Sequence, residues 1–490
     1  MNVTPMTRPV LKWFEEISKI PRKSKEEQKI CQWILDWAKE KKLETQTIDT
    51  PNPGTYNIIV KVPATKGYEA APVVVIQSHL DMVCEKTPES KHDFSKDPIQ
   101  WVEDGEWLKA NNTTLGADNG IGVAMALAMA EEGVEHPALE LLFTVDEETG
   151  LSGANALQPG MLKGQILLNV DSEDEGRFTV GCAGGKNTHL ELPLVFENAP
   201  ENFVKYTLKV CGLTGGHSGV DINCQRANAI SLLARVLHHL KEIPFMVSDI
   251  KGGAAHNAIP RDVFVHLFLP SADQAKAKLV VQNMLETFRA EYKKTDPNLG
   301  LSWEACQDTK DRKAVTKEYT HKLIDFLQTL PHGVNSMSVD INNLVETSNN
   351  LATVCIDKDH LKVVTSQRSS VMSRLQGLTE RIESMGKALG AKVESSCGYP
   401  SWQPNMDSPI LERCKKVYQK ATNKSAVVEV IHAGLECAVI GSKYPKMDMI
   451  SFGPTIKNPH SPDERIHVNS IGEVWHFTLE LMKSFKQANL

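Results

Sequence analysis

Three short, largely apolar runs, at 73–76, 139–145 and 166–170, each break off into residues carrying charge or an imidazole. The first passes into Gln77-Ser78-His79-Leu80-Asp81, the second into Asp146-Glu147-Glu148-Thr149-Gly150, and the third into Asp171. Apolar runs of this length are strands buried on both faces. Helical spacings alternate with them, which predicts an α/β layer built on a mixed, mainly parallel sheet with helices on both faces. Ligands in such sheets bind at the carboxyl ends of the strands. His79, Glu147, Glu148 and Asp171 all fall on that edge.

A fourth acid stands apart from these strands. Asp118 lies within Thr113-Thr114-Leu115-Gly116-Ala117-Asp118-Asn119-Gly120-Ile121-Gly122, just ahead of a helical run at 121–130. In isolation the segment reads as a glycine-rich turn capping a helix. A phosphate cradle is the rival reading, but the glycine spacing is not that of a dinucleotide loop and Asp118 would repel the anion. Its importance comes from the company of the strand-end residues.

Elsewhere the pattern divides the chain. Residues 24–43 read as an amphipathic helix with Ser24 and Glu27 as a capping box. Near 185 the character changes, and two strand–helix–strand–strand–helix stretches follow. The first has strands at 206–210 and 263–269 and helices at 226–241 and 272–294. The second has strands at 361–366 and 392–396 and a helix at 371–389. Alternating rather than continuous hydrophobicity suits an antiparallel sheet covered on one face. The tail returns to the first pattern, with helices at 409–421 and 471–485, strands at 427–431 and 448–452, and a proline-bracketed loop holding His460. The expected organisation is a discontinuous catalytic domain, 1–185 and 400–490, interrupted by an α+β domain of ferredoxin-like βαββαβ character at 186–399.

Composition removes several classes of function. With 490 residues there is room for a large core, and a net charge of −7 offers no footprint for nucleic acid or an anionic membrane. No run approaches the ~18 apolar residues of a membrane span, and residues 1–14 hold no signal-peptide stretch. Ten cysteines are scattered without a C-x-x-C pair, which points to reduced thiols and a cytoplasmic location.

The remaining chemistry is concentrated in few residues. A metal-bound histidine usually gives its second ring nitrogen to a carboxylate, and His79 with Asp81 supplies both. Of the adjacent glutamates, pointing differently at a strand end, one can bind metal and the other face a reacting water. Two histidines and three carboxylates are the donor set of a hydrolytic zinc or manganese pair.

These segments resemble the di-zinc aminoacylase/carboxypeptidase superfamily of metallopeptidases over nearly the whole chain. The likeness is carried by His-Leu-Asp, Gly-Ala-Asp-Asn-Gly, Glu-Glu-Thr-Gly, Asn-Val-Asp and a late His-Ser-Pro. It is nearest to the bacterial cytosolic aminoacyl-histidine dipeptidases (peptidase D, carnosinase-like). Its pointers there are residues 113–120, Gly-Cys-Ala-Gly-Gly at 181–185, Gly-Gly-His-Ser-Gly at 215–219, Asn-Ala-Ile-Pro-Arg at 257–261 and His-Ala-Gly-Leu-Glu-Cys at 432–437.

The resemblance implies two divalent ions per chain, zinc by default with manganese or cobalt as alternatives. Asp118 would bridge them, His79 and Asp171 would complete one site, and Glu148 and His460 the other. It further implies Glu147 as general base, Asp81 as partner of His79, His217 as oxyanion donor, and Asn257, Arg368 and Gly434 as substrate contacts. The inserted domain would be a lid that closes on substrate and mediates a homodimer. The implied activity is hydrolysis of unblocked dipeptides, preferentially Xaa-His, by a metal-activated water. A related tripeptidase, carboxypeptidase or N-acyl-amino-acid deacylase is the enzymatic alternative, and a non-catalytic scaffold of the same fold is the other.

Overall fold

A computed structural model describes residues 3–131, 133–306, 311–339 and 341–486. The chain divides into two units. One comprises Met1–Gly181, Trp402–Val430 and Leu435–Leu490; the other comprises Cys182–Ser401 with the short segment Ile431–Gly434.

The first unit is organised by the three apolar runs. They form strands Val74–His79, Leu139–Thr144 and Ile166–Asn169. Every residue of the first two is buried, so both of their faces are covered. Val74–His79 lies between the other two, parallel to both, and Ile166–Asn169 pairs in parallel with Asp448–Ser451 from the tail. Antiparallel strands flank this parallel centre. On one side Tyr56–Val62 pairs with Leu139–Thr144 and then with Glu44–Asp49; on the other, Arg177–Cys182 meets Asp448–Ser451. Together with Val427–Ile431 they make an eight-stranded sheet.

Helix Ala117–Met129 packs on Val74–His79 and on helix Arg8–Ser18, while Pro409–Thr422 packs on Asp448–Ser451. Apart from Asp118, every residue of Ala117–Met129 is buried, as expected for a helix apolar all round. Burying one leucine or isoleucine of such elements stabilises by ~1.5–3 kcal/mol. Among the described residues no helix is long and apolar enough to cross a membrane.

The second unit contains a ferredoxin-like βαββαβ stretch. Its strands are Phe203–Cys211, Met246–Gly252, Val263–Pro270 and Gly300–Ala305, with helices Ala229–Leu240 and Gln274–Glu291 between them. The spatial order is fourth, first, third, second, and every pairing is antiparallel. The sheet continues past this stretch. Met246–Gly252 pairs with Val345–Asp357, which leads through His360–Ser369 and Gly184–Pro193 to Lys392–Ser395. The helix expected from 226 starts later, because the Asn228 side chain accepts the backbone N–H groups of Ile230 and Ser231 and so caps Ala229–Leu240.

One expectation fails instructively. Residues 24–43 do not form a single helix with a Ser24/Glu27 capping box: the helix is Gln28–Glu40, and no side chain caps it. The Ser24 hydroxyl instead donates to Asp81 Oδ2 at 2.9 Å, and buried Glu27 accepts the backbone N–H groups of Lys25 and Asp146. A carboxylate partner supplied from elsewhere in the fold outcompetes the local cap.

Candidate metal centre

His79 is the final residue of its strand, paired with Thr144, and it is buried. Its two ring nitrogens face opposite ways. Nδ1 lies 3.3 Å from Asp81 Oδ1. Nε2 lies 3.1 Å from Asp118 Oδ1 and 3.4 Å from Asp171 Oδ1. The other oxygen of Asp118, Oδ2, is 3.1 Å from His460 Nε2, and that nitrogen is also 3.1 Å from Glu148 Oε2. Donor atoms of His79, Asp118 and Asp171 therefore gather in one group and those of Asp118, Glu148 and His460 in a second, with Asp118 common to both. Glu147 joins a third group with His79 and Glu148.

The glutamates follow the end of strand Leu139–Thr144 by three and four residues. They open a single helical turn, Glu147–Gly150, entered through Asp146 in the left-handed region (φ 52°). The backbone N–H groups of Glu147 and Glu148 both point at Asp81, at 3.1 Å to Oδ1 and 3.3 Å to Oδ2. Asp171 accepts from the Asn119 side-chain amide.

The loop carrying Asp118 is clasped by two buried charged residues. Glu464 accepts the backbone N–H groups of Leu115, Gly116, Ala117 and Asp118. Arg22 donates to the carbonyls of Leu80, Asp81 and Gly116. The glycines of this segment are explained by that clasp: a Cβ at Gly116 (φ 67°) or at Gly120 would collide with Arg22 Nη2.

The electrostatics ask for positive charge. Burial, reinforced by neighbouring carboxylates, raises Glu147, Glu148 and Asp171 above the usual carboxylate range. Burial opposes ionisation of Asp118 as well, but its bonds with His460 and His79 hold it below that range. His460 is pushed up to about 11 by its bonds to Asp118 and Glu148. His79 is raised despite burial, by the charge of Asp171 and its bonds to Asp118, Asp171 and Asp81. Glu148 Oε1 is buried with no hydrogen-bond partner. Clustered acids, two imidazoles and an orphaned carboxylate oxygen are a donor set suited to divalent cations.

The remaining predicted residues lie in the second unit. His217 sits in the short strand Gly216–His217, paired with Ala258–Ile259. Its Nδ1 accepts the backbone N–H groups of Gly219 (3.3 Å) and Val220 (3.1 Å). Burial and the nearby Arg368 charge lower its pKa to about 4. The ring is therefore neutral at pH 7 with its proton on Nε2. Asn257 is exposed, and its carbonyl accepts the N–H of Ser218. Arg368 is buried, and its Nη1 donates to Tyr399 Oη at 2.8 Å. Gly434 lies against the Tyr399 ring, which a Cβ there would approach to 2.9 Å. His432, two residues earlier, pairs with Ser348 at 2.8 Å.

Sequence reasoning missed Arg22, Ser24, Asn119, Tyr399 and Glu464. Asn119 stands inside the Gly-Ala-Asp-Asn-Gly segment, and Glu464 left a trace four residues past His460 in His-Ser-Pro-Asp-Glu.

Comparison with known proteins gives the family. Residues 75–484 match the model of peptidase family M20/M25/M40, and the chain belongs to that family. It is 40% identical over 478 residues to the cytosol non-specific dipeptidase of Escherichia coli, covering 97% of each chain. The crystal structure of aminoacylhistidine dipeptidase from Vibrio alginolyticus superposes with a TM-score of 0.87 at 37% identity, covering 99% of this chain and 97% of that one. Aminopeptidase PepT from Bacillus cereus shares the fold alone, with a TM-score of 0.58 at 16% identity over 99% of this chain and 100% of that one.

Proposed function

We propose that the chain is a metal-dependent dipeptidase that hydrolyses unblocked dipeptides, preferentially Xaa-His. The observation that carries this reading is Asp118, whose two oxygens lie 3.1 Å from His79 Nε2 and from His460 Nε2 respectively. A single carboxylate presented to two imidazoles supports the reading of a bridging ligand. In this reading Asp118 bridges, His79 and Asp171 complete one site, and Glu148 and His460 the other. The dipeptidase names of the Escherichia coli and Vibrio alginolyticus relatives support the substrate class.

When bound, two divalent ions supply Lewis acidity that polarises a carbonyl and lowers the pKa of water. Zinc is the ion we infer, with manganese and cobalt compatible with so many oxygen donors. Glu147 takes a proton from the attacking water at a carboxylate oxygen and returns it to the leaving amine. Asp81 holds the ring of His79 and the backbone that presents both glutamates. Neutral His217 offers Nε2–H to the developing oxyanion, and that tautomer is fixed by the backbone donors at Nδ1. Arg368 meets the free C-terminal carboxylate, which favours short substrates. Asn257 contacts the substrate beside it, and Gly434 contributes a close backbone approach.

Two further inferences accompany the activity. The second unit pairs two copies into a homodimer, and exposed Val220, Val334, Met337 and Val339 are among the apolar side chains it offers. The protein works in the cytoplasm, in keeping with the scattered cysteines and the cytosolic name of the Escherichia coli relative.

The test is a chelation and assay series. Metal-free protein should be inactive and regain activity with two equivalents of zinc. It should cleave a free Xaa-His dipeptide faster than its N-acetylated form. Preference for the acetylated form would instead identify a deacylase, and full turnover without metal would end the proposal.

A further inference from the structure

The loop bearing Asp118 is fixed by buried charged side chains from near the two ends of the chain. Glu464, 2% exposed, distributes its carboxylate over four consecutive backbone donors. Oε2 accepts from Leu115 at 2.7 Å and Gly116 at 2.9 Å, and Oε1 from Ala117 at 2.8 Å and Asp118 at 3.3 Å. Converging N–H groups of this kind form an anion-binding nest, and here the anion is the protein's own side chain. On the carbonyl side, Arg22, also 2% exposed, donates Nη1 to Leu80 at 3.1 Å and Asp81 at 2.9 Å, and Nη2 to Gly116. One guanidinium thus ties the strand end that carries His79 and Asp81 to the loop that carries Asp118.

We propose that Glu464 and Arg22 are positioning residues for metal binding: together they fix the backbone at Asp118 so that its two carboxylate oxygens face His79 and His460. This rests on the reading of Asp118 as a bridging ligand. Neither residue is a ligand. Each acts through the backbone, which a rotating side chain could not hold alone. Removing the Glu464 charge strands buried N–H groups, and a glutamine would turn an NH2 group toward some of them. The loop would then relax, and Asp118 would swing away from one histidine.

Metal-free wild type, Glu464→Gln, Arg22→Lys and Asp118→Asn are titrated with zinc against a competing chelator, and kcat and KM are followed as zinc is raised. Glu464→Gln and Arg22→Lys should each bind at least one zinc ~10–100-fold more weakly, as expected for partners that orient ligands. Excess zinc should restore kcat with KM for the dipeptide unchanged. A general loss of structure would not be repaired by metal. Two zinc ions bound at wild-type affinity in both variants would overturn the proposal, as would lost kcat that zinc does not rescue. Asp118→Asn separates the two levels of the argument. If it keeps both ions at full affinity, the bridging reading itself fails; if it loses zinc while Glu464→Gln does not, only the positioning role fails. Should the variants not fold, hydrogen exchange in metal-free wild type decides. Protection of the 115–118 amides at the level of the sheet supports the clasp, and exchange as fast as an exposed loop refutes it.

Discussion

His79 Nδ1 lies 3.3 Å from Asp81 Oδ1, and the same Asp81 carboxylate receives the backbone N–H groups of Glu147 and Glu148. One buried side chain therefore orients an imidazole and anchors the turn presenting two acids. Asp81→Asn keeps the shape but removes the charge and turns an NH2 group toward one of those donors. Zinc affinity should fall ~10–100-fold, measured by chelator competition, with KM little changed at saturating metal.

Glu147 has a different task and should fail differently. Glu147→Gln removes the carboxylate proposed as proton acceptor while leaving His79, Asp118, Glu148, Asp171 and His460 in place. We expect kcat to fall by ~10²–10⁴-fold, the usual contribution of a positioned base. Metal content by elemental analysis and KM should stay near wild type.

Tyr399 orients Arg368 through a 2.8 Å bond, with Gly434 against its ring. Tyr399→Phe keeps the ring and removes only the acceptor. A hydrogen bond to a charged group contributes ~1.5–3 kcal/mol, so KM for a free dipeptide should rise ~10-fold or more. A C-terminally amidated dipeptide, with no carboxylate for Arg368, should show no such difference between the two enzymes.

Acid stability should report His432. Burial, with the charge of Arg368 adding to it, lowers its pKa from 6.5 to about 3. The unfolded chain thus binds a proton that the folded one refuses. The stability this provides is complete above pH 6.5 and is lost as pH falls toward 3, an effect on the order of a few kcal/mol. Thermal melts between pH 7 and pH 4 should show wild type falling more steeply than His432→Gln, a variant that can still bond to Ser348.

How much of this was legible depends on where each residue's partners lie. His79, Glu147, Glu148 and Asp171 could be found because buried strands announce themselves as apolar runs and active groups collect where those runs stop. Asp118 and His460 stand out only in the company of those strand-end residues, and the roles proposed for them come from the resemblance, since nothing local distinguishes a metal-binding aspartate from a helix-capping one. The strand Val345–Asp357 escaped notice because Glu346, Thr347, Ser348, Asn349 and Asn350 are polar yet buried. Their bonds run to Ser369, His432, Gln367 and the carbonyls of Pro331, His256 and Ala258. Hydrophobic periodicity is blind to a strand satisfied in that way. Ser24 misled for the same reason, because its real partner, Asp81, is 57 residues away.

Asp118 meets His460 across 342 residues of sequence, and Leu115 meets Glu464 across 349. Translation therefore delivers Asp118 long before the imidazole that meets it or the carboxylate that holds its loop. A growing polypeptide tethered to the ribosome carries His79, Asp118, Glu148 and Asp171 without His460 or Glu464, and no rearrangement of the part already made can supply them. Assembly of the cluster is thereby deferred until the segment bearing both residues has left the ribosome.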